Sequence, residues 1–189
     1  MDTFLTWILL ILFCYILGSI PAAHIIALLL TGRRIQNMGD CNPGSANVWR
    51  EIGPKAGLIT FMIDIGKGTG AVLGTQMYME SFIAPFVAGF AAIIGHNWPP
   101  YPRLRGGRGA ATLLGVLVSI WPSAGFLLGM AGILLWIVTR SVLPSLALFY
   151  IAFPAVSWMT GASLLIVTLS IPLMIVVGAT HWMTTRSRS

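Results

Sequence analysis

The chain has 189 residues, of which 57% are hydrophobic and 8% charged, against about 25% charged in an ordinary soluble domain; its mean hydropathy is +0.87. This composition excludes a soluble globular protein and reads as an integral membrane protein with essentially no soluble domain. The formal net charge of +6 needs no nucleic acid to explain it, because anionic lipid headgroups attract basic loops equally well.

The first apolar run, 4–30, has Asp2 rather than a basic segment before it and continues well past a cleavable leader. It reads as a spanning helix interrupted at Gly18 and Pro21, for which a kink or packing notch is the simplest account. Six more apolar runs follow at 56–79, 82–95, 110–121, 124–139, 143–159 and 162–182. A crossing helix needs about 20 residues, so the third and fourth runs are too short to span alone. Both adjoin 96–109, HNWPPYPRLRGGRG. The expectation is that this loop dips into the membrane and completes their path, shielded by protein or lining a wet cavity. The expected fold is therefore all-α: seven transmembrane helices in one domain over 1–189, with two partly re-entrant cytoplasmic loops, 33–55 and 96–109. Cys14 in the first helix and Cys41 in the loop after it differ in depth, so no disulfide is expected, and their spacing resembles no metal site.

Short loops rich in Lys and Arg stay in the cytoplasm. With seven spans, one side holds Arg33, Arg34, Arg50, Lys55, Arg103, Arg105, Arg108 and Arg140, and the tail adds Arg186 and Arg188. The other side holds Asp2, Glu80 and two short turns without a basic residue. The amino terminus is thus expected outside and the carboxyl terminus inside.

The two basic loops carry the chemistry. In 33–55, Gly39, Gly44, Gly53 and Gly57 just beyond it alternate with Asn42, Ser45 and Asn47, ahead of Arg50 and Lys55. Concave runs of backbone amides bind phosphate oxygens, and arginine adds bidentate charge. A solvated loop obeying the charge rule is the plainer reading, but it does not require three amide or hydroxyl side chains among the glycines. In 96–109 the recipe tightens to Arg103, Arg105, Gly106, Gly107, Arg108 and Gly109 directly before a helix, whose amino end favours an anion. His96 is either a proton acceptor for a reacting group or a structural histidine at a helix end. Asp64 and Lys67, three apart in the second spanning helix, share a face and are close enough to pair; Lys67 either reaches the anion site or serves a buried pair that orients the helix. His24 and His181 have no comparable neighbourhood and read as structural or interfacial.

Gly18, Ser19, Ile20 and Pro21; Gly39, Asn42, Gly44, Asn47 and Val48; Asp64, Lys67 and Gly68; Gly95, His96, Asn97 and Pro99; and Gly106, Gly107 and Gly109 form an ordered set. In order and spacing the set resembles the bacterial acyl-phosphate:glycerol-3-phosphate acyltransferase family of the PlsY type, over most of the chain up to about Val118. The resemblance implies a seven-helix enzyme of the bacterial cytoplasmic (inner) membrane with its active site on the cytoplasmic side. It would move an acyl chain from acyl phosphate to the 1-hydroxyl of glycerol 3-phosphate, giving lysophosphatidic acid for phospholipid synthesis. The implied partners are those two substrates and membrane lipids, with a monomer expected, no nucleic acid, and no metal or organic cofactor.

Resemblance and loop chemistry together nominate His96, Asn97 and Arg108 as catalytic. They nominate Ser19, Asp40, Asn42, Gly44, Ser45, Asn47, Arg50, Lys67, Arg105, Gly106, Gly107 and Gly109 as substrate-binding. Where the family pattern runs close to GSGNxGATN this chain has GDCNPGSAN, its GGKG is GGRG, and the tail THWMTTRSRS lacks the family's asparagine and glutamate. A different acceptor, or a non-catalytic phosphate-binding or transport role, is compatible with those changes. Asp40 would repel a phosphate unless neighbouring arginines hold it.

Overall fold

Lipid offers the backbone no hydrogen-bonding partner, so an apolar run there must satisfy its own amides and carbonyls, and a helix does so within one segment. In the computed structural model, which describes residues 3–186, each apolar run is accordingly helical. The elements are α1 (Phe4–Gly18), α2 (Ala22–Thr31), α3 (Ser45–Glu51), α4 (Pro54–Tyr78), α5 (Ala84–Asn97), α6 (Ala110–Ile120), α7 (Pro122–Thr139), α8 (Val142–Met159) and α9 (Leu164–Arg186). Among the described residues there is no strand. Asp2 and Arg188, which enter the charge asymmetry, lie outside the described residues, as does the side chain of Arg186.

Four helical stretches are long and apolar enough to cross a membrane: Phe4–Thr31 taken through its break, Pro54–Tyr78, Pro122–Thr139 and Leu164–Thr185. Ala84–Asn97, Ala110–Ile120 and Pro144–Met159 are apolar but shorter. Large apolar side chains such as Phe13, Leu29, Val138 and Ile151 stand exposed, which suits contact with acyl chains and not with water.

The first basic loop is more ordered than its composition suggests. It contains a single 3-10 turn, Ile35–Asn37, and then α3. The side chain of Asn47, fully buried, fastens the loop: its Nδ2 donates to Met38 O at 2.9 Å and its Oδ1 accepts from the Asp40 amide at 3.3 Å.

α4 is the axis of the molecule. It packs against α1, α2, α3, α5 and α6, and 44% of its most apolar window is buried, against 17–22% for the other long stretches. Glycine permits the closeness. A Cβ on Gly68 of α4 would run into Thr112 O of α6, and one on Gly115 of α6 into Ile65 O of α4. The same reciprocity joins α1 and α5, where Gly18 faces Ala92 O and Gly95 faces Tyr15 O. Such small-residue crossings let van der Waals contact act where no hydrophobic force separates helix from lipid. They also fix the depth at which Asp64, Lys67 and His96 meet.

Candidate active site

The break in the first apolar run is more than a kink. α1 ends at Gly18 and α2 begins at Ala22, and the residues between them form a wall of a small cleft. Ser19, buried, closes the end of α1 by donating its Oγ to Tyr15 O at 2.7 Å. Pro21 precedes α2, whose Ala22 amide donates to Ile20 O at 3.0 Å, while the amides that follow in its first turn lack a carbonyl one turn earlier and carry the positive end of the helix dipole. Ala22, Ala23 and His24 of that turn line the cleft.

The opposite wall comes from α4, the end of α5 and the second basic loop: Asp64, Lys67, His96, Pro99, Arg105, Gly106 and Gly107. Lys67 Nζ donates to Asp64 Oδ1 at 2.6 Å, with both side chains 3% exposed. His96 Nδ1 lies 3.6 Å from the same oxygen, so Asp64 stands between an ammonium and an imidazole. The opposite nitrogen of the ring, Nε2, lies so close to Gly107 that any side chain there would strike it. A Cβ on Gly106 would likewise collide with Asn97 O, and the Gly107 amide donates to His96 O at 3.1 Å. The Gly106–Gly107 turn therefore sits directly on the end of α5, and only glycine permits it.

The two basic loops meet through Gln36. Its Nε2 donates to Arg103 O at 3.2 Å, and its Oε1 accepts from the Arg105 amide at 3.3 Å. The nominated residues of the first loop nevertheless stay off the cleft. Asp40, Asn42, Gly44, Ser45, Asn47 and Arg50 are absent from its lining, to which that loop sends Pro43. The reason is local: Asn47 is consumed in holding the loop, and Asp40 Oδ2 pairs with Arg50 Nη2 at 3.0 Å on the exposed side. An arginine thus holds Asp40, which offsets its charge.

Asn97, Arg108 and Gly109 turn instead toward α9. Asn97 Nδ2 donates to Thr180 Oγ1 at 3.0 Å, and Arg108 Nε donates to Thr184 Oγ1 at 3.1 Å. Thr180 and Thr184 are one helical turn apart, so a single face of α9 receives both. Gly109, at φ +79°, caps the start of α6 with its Cβ position against Asn97 Oδ1. The tail without the family's asparagine and glutamate still reaches this region through hydroxyls. Thr184→Val removes the hydroxyl that receives Arg108 Nε and is expected to weaken the docking of the loop on α9 by about 1.5–3 kcal/mol, the scale of a hydrogen bond to a charged group, read as a lower melting temperature in detergent. Thr184→Ser, which keeps the hydroxyl, is expected to melt with wild type.

Beyond the nominated residues, Asp64 and His24 line the cleft, His24 with its Nε2 2.9 Å from Arg105 O, and Gln36 joins the loops beside it. The signal available for His24 was its position three residues past a helix-breaking proline. Chemically, the cleft joins a cation, a helix amino end and a glycine turn, which suit phosphate, to an Asp–His pair, which suits proton transfer.

Comparison with known proteins gives the family. Residues 8–187 match the family model described as glycerol-3-phosphate acyltransferase. The chain is 35% identical over 182 residues to glycerol-3-phosphate acyltransferase 4 of Dehalococcoides mccartyi, covering 95% of this chain and 97% of that protein. It is 37% identical over 166 residues to the glycerol-3-phosphate acyltransferase of Bacillus cytotoxicus, covering 88% and 83%. Among solved structures it resembles PlsY (YgiH), an integral membrane glycerol 3-phosphate acyltransferase, in its glycerol 3-phosphate form. There the TM-score is 0.82 at 26% identity, over 96% of this chain and 90% of that one. A match of this length to the family model, with relatives of this identity along nearly the whole chain, means that the protein belongs to the glycerol-3-phosphate acyltransferase family.

Proposed function

We propose that this protein is a membrane acyltransferase that moves a fatty acyl group from acyl phosphate to the 1-hydroxyl of glycerol 3-phosphate, yielding lysophosphatidic acid for phospholipid synthesis. Acylation of glycerol 3-phosphate is the activity its family is named for. The observation that carries the mechanism is the convergence of Lys67, His96, Arg105, Gly106, Gly107 and the first turn of α2 on one cleft.

Acyl phosphates are activated anhydrides, so holding both anions in a shared cleft supplies much of the catalysis without a protein nucleophile. Lys67 and the amides at the start of α2 and in the glycine turn hold phosphate and stabilise the charge that develops on the carbonyl oxygen. The acceptor oxygen attacks the acyl carbon, the bond from that carbon to the phosphate oxygen breaks, and inorganic phosphate leaves. His96 takes the proton of the attacking hydroxyl. Asp64, beside Nδ1, favours the tautomer with its hydrogen there and leaves the Nε2 lone pair at the glycine turn. Arg108 and Asn97, docked on α9, hold the loop and widen the positive field.

The reading places seven helices in the bacterial cytoplasmic membrane, with the amino terminus outside and the basic loops inside. The absence of Lys or Arg from the opposite loops supports it. The reading takes the active unit to be a monomer of a single domain. The test feeds purified protein in detergent with acyl phosphate and labelled glycerol 3-phosphate. Labelled lysophosphatidic acid with one equivalent of inorganic phosphate is expected. Folded protein that binds phosphate ligands but forms no product would reject transfer and leave a phosphate-binding membrane protein.

A further inference from the structure

The donors around the cleft suit phosphate, but His24 offers the opposite chemistry. Its Nε2 is 2.9 Å from Arg105 O, and a carbonyl only accepts, so Nε2 carries the hydrogen. In the neutral ring Nδ1 is then a bare acceptor. That atom is buried and meets no hydrogen-bond donor among the described residues, although buried polar atoms are nearly always satisfied by protein, water or ligand. The residue lines the same cleft as Lys67 and His96. A phosphate oxygen would repel an acceptor lone pair, whereas a hydroxyl complements it.

We infer that His24 Nδ1 accepts a hydrogen bond from the secondary hydroxyl of the polyol phosphate, the one that does not react. The inference rests on the acyl-transfer reading above, in which the primary hydroxyl gives its proton to His96. The contact from α2 fixes which end of the acceptor faces the acyl carbonyl. It also selects against acceptors without that hydroxyl, which leave a buried acceptor unpaired. Because Nε2 is tethered to the Arg105 carbonyl, the ring is positioned before substrate arrives.

The test compares kcat/KM for glycerol 3-phosphate with that for 1,3-propanediol monophosphate, which lacks the secondary hydroxyl, using full-length protein in detergent. Wild type is expected to favour glycerol 3-phosphate by about tenfold or more, the scale of one hydrogen bond. His24→Gln keeps a donor near the place of Nε2 and removes the acceptor at Nδ1. Its preference is expected to fall about tenfold, with the loss confined to glycerol 3-phosphate. His24→Asn, whose carbonyl reaches the place of Nδ1 but not Arg105, is expected to retain the preference while KM rises for both acceptors. An active wild type with an unchanged ratio in His24→Gln, or an equal loss on both acceptors, would overturn this assignment alone and reduce His24 to a tether for the loop. A wild type that acylates neither acceptor would overturn the acyl-transfer reading with it.

Discussion

Asp64→Ala is expected to lower the unfolding free energy by about 3–5 kcal/mol, the usual cost of leaving a buried charge without its partner. The carboxylate lies 2.6 Å from Lys67 Nζ, both groups are 3% exposed, and they sit on α4, which five other helices contact. Alanine leaves the ammonium, 3% exposed at the wall of the cleft, without the carboxylate beside it. Thermal unfolding in detergent is the measurement. Asp64→Ala combined with Lys67→Met should recover most of the lost stability, because an apolar pair can replace a buried ion pair at little cost. It should not recover activity, because the cleft has then lost the Lys67 ammonium. If the single variant melted with wild type, the pair would be hydrated and α4 would not be held this way.

His96→Gln is expected to lower kcat by roughly 10²–10⁴-fold, the range for removing a general base, with little change in KM or melting temperature. The ring belongs to the cleft and not to a helix crossing: Nδ1 faces Asp64 at 3.6 Å and Nε2 faces Gly107. Glutamine fills a similar volume and can still donate, but it accepts a proton poorly. Quenched single-turnover assays with saturating acyl phosphate isolate the step. A loss smaller than threefold would mean that a substrate phosphate takes the proton and that His96 only lines the wall.

These expectations draw on features of different legibility. The helices were readable because apolar runs in lipid have one way to satisfy their backbone. The predicted runs 110–121 and 143–159 differ by a single residue at one end from α6 (Ala110–Ile120) and α8 (Val142–Met159). The pairing of Asp64 with Lys67 was readable for the same local reason, since a spacing of three puts two side chains on one helix face. In the second loop, Arg105, Gly106 and Gly107 were legible from charge and glycine directly before a helix.

The first loop was not legible in this way. Its Asn42, Ser45, Asn47 and Arg50 have the composition of a phosphate cradle, yet Asn47 is turned inward to Met38 and Arg50 outward to Asp40. Composition shows which groups are present and says nothing of which partners they have already taken. The place of His24 in the cleft wall was not legible for the converse reason: its neighbours in sequence are apolar, and the carbonyl it meets lies 81 positions away.

By itself, then, the sequence determined that this is a helical membrane protein of an acyltransferase family, with its basic chemistry in two loops, because hydropathy, charge asymmetry and motif spacing are local properties. Tertiary structure decided which residues share the cleft. Reciprocal glycine contacts bring α1 onto α5 and α4 onto α6, and only at that backbone separation do His24, Lys67, His96 and the Gly106–Gly107 turn line one cleft. Close approach between distant segments depends on how surfaces interlock, and no local pattern encodes that.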